Sequence, residues 1–334
     1  MPRVSVLLPV RDAAPWLDEC LDSLAAQTLE DHEVVAVDDG SQDGSAERLA
    51  ARARGDRRLR LFRSPPRGLV PALQHALAQA RSPLVARMDA DDVAHPRRLE
   101  RQVERLACDR AVDVLACRVE VPPGGPHGSR GMRAYVEWTN GLLDHDAIVR
   151  ERFVESPLVH PSVVMRSEAL RALGGWREGP FPEDYELWLR AIDAGLRFAR
   201  LPEVLLRWRD TPSRLTRSDP RYRRDCFLAT KLEALCRGPL SGRPAVVWGA
   251  GPIGKSWSRA LAAAGRAAAA FVEVDPRKIG TRIHGVPVLA LSEAATVRGA
   301  LHLGAVGQPG ARGRLRAEAA RLGLVDGRDF FAVA

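Results

Sequence analysis

Short apolar runs alternate with longer amphipathic stretches along the first 120 residues of the chain. The apolar runs are rich in β-branched side chains and predict buried strands at residues 4–10, 33–37, 59–62, 84–88 and 112–121. Between them, apolar residues recur three and four positions apart, which predicts helices from about Pro15 and over residues 45–53, 68–80 and 96–107. This alternation predicts an α/β domain with a mostly parallel sheet.

The pattern changes after residue 121. A Pro/Gly-rich loop at residues 122–130 precedes a segment of short helices and irregular structure. A basic helical stretch at 221–237 and a Gly/Pro-rich linker at 238–244 follow, and a new strand–helix alternation begins at Ala245. We therefore predict a first domain over residues 1–217, a basic helix and linker over 218–243, and a small α/β domain over 244–334.

The composition is that of a globular protein with a buried core, since 46% of the 334 residues are hydrophobic and 28% are charged. The five cysteines are scattered and never spaced as Cys-x-x-Cys, which argues against a disulfide framework and a zinc knuckle. The apolar run at residues 4–9 is too short for a signal peptide, and no run approaches the ~20 apolar residues of a spanning helix. We expect a cytoplasmic protein, at most peripheral on the inner face of the membrane.

The formal net charge is +8, and arginine carries the excess. Such a charge suits nucleic acid, an anionic membrane surface or a phosphorylated substrate. The sequence contains no nucleic-acid-binding module and no aromatic residues interleaved with the basic ones, so we expect no nucleic-acid partner. A phosphate-bearing substrate is the first choice, and peripheral contact with an anionic membrane is the second.

Acidic residues follow three of the predicted strands. Asp12 follows the first strand, Asp39 the second, and Asp89 and Asp91 the fourth. Ligands of open α/β sheets bind beyond the carboxyl ends of the strands, where so many carboxylates are costly unless a cation compensates them. Asp89 and Asp91 offer the hard oxygen ligands that suit Mg²⁺ or Mn²⁺. The alternative is a solvated turn that caps the next helix.

Six motifs carry a resemblance to a known family. Three follow the predicted strands: Val6-Leu7-Leu8-Pro9-Val10, Val37-Asp38-Asp39-Gly40-Ser41-Gln42-Asp43-Gly44-Ser45 and Met88-Asp89-Ala90-Asp91-Asp92. Three lie downstream: His160-Pro161-Ser162, Gly174-Gly175-Trp176 and Glu183-Asp184-Tyr185-Glu186-Leu187-Trp188-Leu189-Arg190. In this order they resemble the family 2 glycosyltransferases, which have the GT-A fold of nucleotide-diphospho-sugar transferases. The resemblance covers residues 1 to about 217.

The resemblance implies a role for each matching position. Asp39, with the backbone near Pro9, would contact the base and ribose of a nucleotide-sugar donor. Asp91, helped by Asp89, would hold the metal that bridges the diphosphate. Asp184 would be the general base that takes the proton from the acceptor hydroxyl.

The implied activity is transfer of a sugar to a glycan or lipid-linked acceptor in surface glycan biosynthesis. A divalent cation neutralises the charge that grows on the diphosphate, so one base suffices for direct displacement at the anomeric carbon. A single displacement predicts an inverting mechanism. The Gln-x-x-Arg-Trp signature of processive members is missing, which favours the addition of one sugar per binding event.

Several of these residues also have structural interpretations. Glu183 and Asp184 could start an exposed helix, where acids complement the helix dipole. Glu183, His160 and Trp176 would belong to the acceptor side, but His160 could equally hold a loop and Trp176 could pack in the core instead of stacking on a sugar.

One position departs from the family pattern. Family members often carry Arg-x-His after this region, whereas this chain has Thr211 at the position of the histidine. Arg209 would then supply positive charge to the donor.

The carboxyl-terminal part contains Gly249, Gly251 and Gly254 in the spacing Gly-x-Gly-x-x-Gly, after an apolar run and before a helix. Asp275 follows the next predicted strand, at the distance expected for a ribose contact. The segment resembles a small Rossmann-like unit, which would bind NAD(P) or another nucleotide or serve as a scaffold. About ninety residues remain, which we expect to be too few for the six-stranded dinucleotide fold.

Three functions compete on this sequence. The first is the sugar transferase. The second is a nicotinamide-dependent sugar oxidoreductase, which leaves the acidic strand ends unexplained and lacks a catalytic Tyr-x-x-x-Lys pair. The third is a non-catalytic nucleotide-binding protein, which would make the constellation of Asp39, Asp91 and Asp184 a coincidence.

Overall fold

The computed structural model describes residues 1–122, 130–211 and 214–334. The chain forms two compact units, each described by itself: Met1–Ile148 with Leu158–Pro220, and Val149–Pro157 with Arg221–Ala334. The loop predicted at 122–130 lies almost entirely outside the described residues, and so do Pro212 and Ser213, which follow Thr211.

The first unit is built on an eight-stranded sheet. Its strands are β1 (Val4–Val10), β2 (His32–Asp38), β3 (Leu59–Arg63), β4 (Leu84–Arg87), β5 (Val93–Ala94), β6 (Val114–Glu120), β7 (Val164–Arg166) and β8 (Phe198–Arg207). They are arranged in the order β3-β2-β1-β4-β7-β6-β8-β5. Strands β1 to β4 are parallel, whereas β7 is antiparallel to both of its neighbours. The predicted α/β class with a mostly parallel sheet is confirmed.

Helices connect and cover these strands. They are α1 (Ala14–Ala25), α2 (Ser45–Gly55), α3 (Leu69–Gln79), α4 (Arg98–Cys108), α5 (Arg130–Asn140), α6 (His145–Glu151), α7 (Ser167–Ala172), α8 (Glu183–Asp193) and α9 (Leu215–Ser218), with 3₁₀ turns at His160–Ser162 and Pro220–Tyr222. Every residue of β1 is buried, because both faces of the sheet are covered. Leu8 packs on one face with Leu17 of α1, and Leu7 packs on the other face with Trp188 of α8.

The strand order fixes the place of a ligand site. The chain runs from β1 through β2 to β3 on one side and then returns to β4 on the other side of β1. In open α/β sheets, such a reversal leaves a crevice at the carboxyl ends of the two diverging strands. The loops after β1, β2 and β4 therefore meet at one edge.

The second unit holds a six-stranded sheet in the order β11-β12-β10-β9-β13-β14. Its strands are β9 (Ala245–Trp248), β10 (Ala270–Glu273), β11 (Arg282–Ile283), β12 (Val286–Ala290), β13 (Leu301–Gly304) and β14 (Phe330–Ala332); its helices are α10 (Arg224–Arg237), α11 (Pro252–Ala263) and α12 (Ala311–Arg321), with a 3₁₀ helix at Leu291–Thr296. Only the β11–β12 pair is antiparallel among the described strands of this sheet. We had expected about ninety residues to be too few for the six-stranded dinucleotide fold. The sheet does have six strands, but its outer strands are only two or three residues long and β11 is antiparallel to its neighbour.

A short segment from the middle of the chain belongs to the second unit. Within Val149–Pro157, the ring of Phe153 meets that of Phe331 edge-on with a centroid separation of 5.3 Å. The Nζ of Lys231 on α10 donates to the carbonyl of Val154 at 2.7 Å. The unit therefore combines two stretches of chain that are distant in sequence, and α10, which corresponds to the basic helical stretch predicted at 221–237, lies within it.

Candidate active site

The loop after β4 holds three carboxyl groups that we call the aspartate cluster: Asp89, Asp91 and Asp92. Their carboxylate oxygens lie within 4.8 Å of one another. Asp92 is buried, and its Oδ1 accepts a hydrogen bond from the backbone N–H of Arg209 at 2.8 Å. Its Oδ2 has no hydrogen-bond partner in the part of the chain that the structure describes.

The electrostatics of the aspartate cluster favour a bound cation. Burial and the charge of Asp89 raise the pKa of Asp91 to about 6. Burial and both neighbouring carboxylates raise the pKa of Asp92 well above its usual range. A divalent cation with oxygen ligands would relieve this repulsion and use the bare oxygen of Asp92, so the donor set fits Mg²⁺ or Mn²⁺. Sequence reasoning missed Asp92 as a candidate ligand, although it stood beside the other two in the run.

Glu183 and Asp184 begin α8. Leu187 and Trp188, three and four residues after Asp184 and therefore on the same side of the helix, pack in the core. The Oδ1 of Asp184 accepts from the backbone N–H of Tyr185 at 2.7 Å. Burial and the neighbouring charge of Glu183 raise the pKa of Asp184 to about 8. A carboxyl group with a raised pKa, at the end of a helix anchored in the core, has the properties of a proton acceptor.

Arg87 is a further residue of this region that sequence reasoning missed. It ends β4, its side chain is only 5% exposed, and it forms an ion pair with Asp89. Its charge also interacts with Glu183, and it lowers the pKa of Asp184. The signal in the sequence was an arginine at the end of an otherwise apolar strand.

His160 and Trp176 form a buried pair. The indole Nε1 of Trp176 donates to Nε2 of His160 at 2.9 Å. The Nδ1 of His160 lies 3.9 Å from Oε1 of Glu183. Burial and the charge of Arg87 lower the pKa of His160 well below its usual value, so the ring is neutral. With 2% of Trp176 exposed, its ring has no face for a sugar, which favours the packing interpretation for both residues.

Asp39 lies at the end of β2 and organises the loop before α3. Its two carboxylate oxygens accept from the backbone N–H groups of Arg67 and Gly68, each at 2.8 Å. Pro9 is buried in β1 beside the same strand. Gly40 follows at φ 72°, where a Cβ would lie 2.8 Å from Cδ of Pro66. The close loop therefore requires glycine at this position.

The remaining polar residues of the second motif join two loops. The backbone N–H of Ala13 donates to Oγ of Ser45 at 2.9 Å, and that of Ala14 donates to Oδ2 of Asp43 at 2.8 Å. The free N–H groups at the start of α1 are thus capped from the loop after β2. Asp43 has a structural task here that its place in the motif did not reveal.

Arg209 contacts the aspartate cluster but is already engaged. Its Nε donates to the carbonyl of Asp91 at 2.9 Å, its guanidinium lies 4.6 Å from the ring centroid of Trp16, and it pairs with Glu19. Arg214 stacks on Trp208 at 3.9 Å, and its charge lowers the pKa of Asp91. Its Nη1 makes no hydrogen bond within the described residues.

Thr211 donates its hydroxyl proton to Oδ2 of Asp91 at 3.2 Å, so it supports the cluster at the position where the family often has histidine.

The glycine loop of the second unit lies between β9 and α11. A Cβ on Gly254 would lie 1.8 Å from the carbonyl oxygen of Gly249, so glycine is required there. Gly251 has open space around it, since a Cβ added there would meet no atom within 4 Å.

Asp275, which we predicted as a ribose contact, lies two residues beyond the end of the preceding strand. Strand β10 ends at Glu273, and it is Glu273 that accepts from the backbone N–H of Ala250 at 3.0 Å. Asp275, two residues further on, pairs with Arg277 at 2.9 Å. Glu273 is therefore the acidic residue for which the structure shows a contact with the glycine loop.

Among the described residues, no helix combines the length and the apolar character that crossing a bilayer requires.

Comparisons with known proteins agree with this geometry. The family Glycosyl transferase family 2 matches residues 5–174. The amylovoran biosynthesis glycosyltransferase AmsE of Erwinia amylovora is 30% identical over 194 residues, which cover 58% of this chain and 70% of that protein.

Two solved structures show the same fold. Residues 1–349 of S. aureus TarS, in complex with UDP-GlcNAc, align with a TM-score of 0.55 at 18% identity and cover 78% of this chain and 80% of that one. The mannosyltransferase PcManGT from Pyrobaculum calidifontis, in complex with GDP-Man and Mn²⁺, aligns with a TM-score of 0.52 at 22% identity and 79% coverage of both chains. The predicted GT-A fold is thereby confirmed.

Proposed function

Since this chain belongs to family 2 of the glycosyltransferases, we propose that it transfers one sugar from a nucleotide-sugar donor to an acceptor hydroxyl with inversion at the anomeric carbon. The observation that carries the proposal is the aspartate cluster, with its raised pKa values and the bare oxygen of Asp92. The alternatives of an oxidoreductase and a non-catalytic protein offer no use for this cluster.

Asp89 and Asp91 would hold a divalent cation, Mg²⁺ or Mn²⁺, with Asp92 beside them. When bound, the cation would neutralise the charge of the leaving nucleoside diphosphate. The Mn²⁺ of PcManGT supports this choice of ion. Asp39 and the backbone near Pro9 would contact the nucleoside.

Asp184 would act as the general base. The acceptor oxygen attacks the anomeric carbon, the bond from that carbon to the diphosphate oxygen breaks, and the hydroxyl proton passes to Asp184. One displacement with one base inverts the configuration. Glu183 and His160 would act indirectly through their effect on Asp184, and Arg209 and Arg214 would supply positive charge on the donor side.

The substrate class follows from the relatives. TarS and PcManGT bind UDP-GlcNAc and GDP-Man, which supports a uridine or guanosine diphosphate sugar as donor. AmsE acts in the biosynthesis of the polysaccharide amylovoran, which supports surface glycan synthesis on a glycan or lipid-linked acceptor. The net charge of +8 supports peripheral contact with an anionic membrane, where a lipid-linked acceptor would lie.

The second unit would bind a nucleotide, such as NAD(P), at the loop of Gly249, Gly251 and Gly254. The forced glycine at 254 and the parallel order of β12, β10, β9, β13 and β14 support this Rossmann-like interpretation. Glu273 would replace Asp275 as the acidic residue at the ribose.

Thermal unfolding with UDP- and GDP-sugars, each with and without Mn²⁺, tests the proposed activity. A ligand at 100 times its Kd stabilises the folded protein by about 2.7 kcal/mol. We expect this stabilisation to need Mn²⁺ and to be followed by release of the nucleoside diphosphate. Equal stabilisation without any divalent cation would contradict the metal-dependent mechanism.

A further inference from the structure

The guanidinium of Arg87 lies among carboxyl groups from two parts of the first unit. It pairs with Asp89, and the charges of Asp92 and Glu183 also raise the pKa of Arg87 against the effect of its burial. On the other side, the charge of Arg87 lowers the pKa of Asp184. One buried cation thus acts on the aspartate cluster and on the acidic start of α8.

The main chain of Arg87 is fixed on both sides. Its backbone N–H donates to the carbonyl of Val163 at 2.9 Å, and its carbonyl accepts from Nη2 of Arg98 at 2.9 Å. The backbone at Arg87 is therefore held in place, and the side chain that it carries is only 5% exposed. Its Nη1 forms the ion pair with Asp89, and its Nε makes no hydrogen bond among the residues that the structure describes. The planar guanidinium therefore keeps an N–H donor that can bind a carboxylate when the surrounding carboxylates are rearranged.

Other charged groups of this region cannot take its place. His160, on the 3₁₀ turn, is neutral, since Trp176 donates to its Nε2 and the remaining proton on Nδ1 faces Glu183. Arg98, on α4, is buried and directs its guanidinium to the carbonyl of Arg87, the sulfur of Met88 and the amide oxygen of Gln102.

We propose that Arg87 is a positioning residue that couples the aspartate cluster to Asp184. The assignment of Asp184 as the base rests on the proposed function, whereas the coupling is a property of the folded protein alone. With a divalent cation held at Asp89, the ion pair between Asp89 and Arg87 would weaken, and the positive charge of Arg87 would act more strongly on Glu183 and Asp184. An opposite charge nearby favours the ionised carboxylate. The acceptor-side base therefore becomes proton-accepting once the donor side is loaded.

The coupling can be measured without any transfer reaction. In the full-length protein with a chelator present, thermal unfolding is followed from pH 4 to pH 10 for wild type and Asp184→Asn. A buried carboxyl with a raised pKa keeps its proton when folded and loses it near pH 4 when unfolded, so wild type loses stability relative to Asp184→Asn as the pH rises. The loss levels off at the folded pKa, near pH 8.

The two unfolding curves are then recorded again in proteins that carry Arg87→Met, once with Asp184 intact and once with Asp184→Asn. Without the positive charge of Arg87, the pH at which the loss of stability levels off should rise by about one unit or more. Arg87→Gln is a second neutral variant with a polar side chain. Arg87→Lys keeps the positive charge and should restore the pH at which the loss of stability levels off in the wild type. If Arg87 had a purely structural role, Arg87→Met would lower the melting temperature and leave unchanged the pH at which the loss of stability levels off. That result, in a folded neutral variant, would overturn the proposal.

A second arm adds Mn²⁺ together with UDP or GDP. In the wild type the levelling-off should move to a lower pH, and in Arg87→Met it should move less. A shift of the same size in both proteins would overturn the coupling and leave the proposed function intact. Absence of any Mn²⁺ effect in the wild type would instead contradict the metal-dependent function and the coupling together.

Discussion

The carboxyl edges of the two sheets both carry acidic residues beside a tight, glycine-containing loop, but the two sets of acids are satisfied differently. In the first unit, the aspartate cluster holds three carboxyl groups within 4.8 Å, and the Oδ2 of Asp92 has no partner within the described residues. In the second unit, Glu273 accepts from the backbone N–H of Ala250 at 3.0 Å and from Nζ of Lys278 at 3.1 Å.

The pKa values reflect this difference. Burial raises the pKa of Asp91, whereas hydrogen bonds from Ala250 and Val274 outweigh desolvation and lower the pKa of Glu273. A cation bound at the first edge would relieve the repulsion between its carboxylates, whereas the carboxylate of the second edge is already compensated by donors of the protein. Acidic residues at a strand end therefore indicate a cation site when the fold leaves them in excess, and loop architecture when it does not.

The largest effect should come from removing charge from the first edge. Asp91→Asn should abolish Mn²⁺-dependent binding of UDP or GDP and lower transfer by at least ~10³, since a metal supplies several kcal/mol of transition-state stabilisation. Isothermal titration with and without Mn²⁺ measures the binding. The matched control is Glu273→Gln at the second edge, which should leave both quantities unchanged. If Asp91→Asn bound UDP or GDP with Mn²⁺ as tightly as the wild type does, the proposed difference between the two sheet edges would be contradicted.

The next effect concerns the base. Asp184→Asn should lower turnover by ~10²–10⁴, the usual contribution of a general base, and leave the donor affinity near that of wild type. Initial rates at saturating donor and acceptor measure this. Normal turnover would assign the proton transfer to another group.

The pH dependence of the wild type should follow the same residue. Because burial and Glu183 raise the pKa of Asp184 to about 8, the ionised fraction in the free protein increases about tenfold per pH unit below that value. We expect kcat/KM to rise with pH up to about 8. In Glu183→Gln the rise should end at a lower pH, since a repelling charge is gone. If kcat/KM of that variant depended on pH as in the wild type, the rise of kcat/KM with pH would reflect the ionisation of another residue.

A smaller effect sharpens the comparison from the second edge. Gly254→Ala places a Cβ 1.8 Å from the carbonyl oxygen of Gly249 and should destabilise the second unit by ~1–3 kcal/mol. Hydrogen exchange of residues 245–263 reports this locally. Gly251→Ala, in open space, should change the stability by less than about 0.5 kcal/mol. If Gly251→Ala weakens nucleotide binding while the free energy of unfolding stays that of the wild type, the loop is a ligand site as well.

The smallest effect separates the two acids of the second edge. Glu273→Gln should cost at most about 1 kcal/mol at neutral pH, because solvent screens part of the interaction. The pKa of Glu273 is lowered, so its contribution is present above its unfolded value and is lost as the pH falls through the folded value. Asp275→Asn should have no measurable effect, since Asp275 pairs with the exposed side chain of Arg277 and solvent screens that pair. Chemical denaturation at pH 4 and pH 7 compares the variants.

The sequence was sufficient for the features that depend on local pattern. The buried strands β1, β2 and β4 are continuous apolar runs, and parallel pairing then brings Asp39 and Asp89 to one edge. The GT-A fold was predicted from the resemblance of six motifs to the family 2 glycosyltransferases, three of which lie on or directly after predicted strands.

The sequence was insufficient where a role depends on distant contacts. Nothing local in β4 shows that Arg87 faces Asp89 and α8, or that Trp176 fixes the tautomer of His160.

The Val149–Pro157 segment has a consequence for how this chain folds as it is synthesised. Phe153 leaves the ribosome long before its partner Phe331, which is 331 − 153 = 178 residues later. At ~5–20 residues per second, the segment waits on the order of 10–40 s without its partner. During that interval Phe153 and Val154 lack the partners that the second unit supplies, and a chaperone that recognises exposed apolar side chains of a nascent chain would find them there.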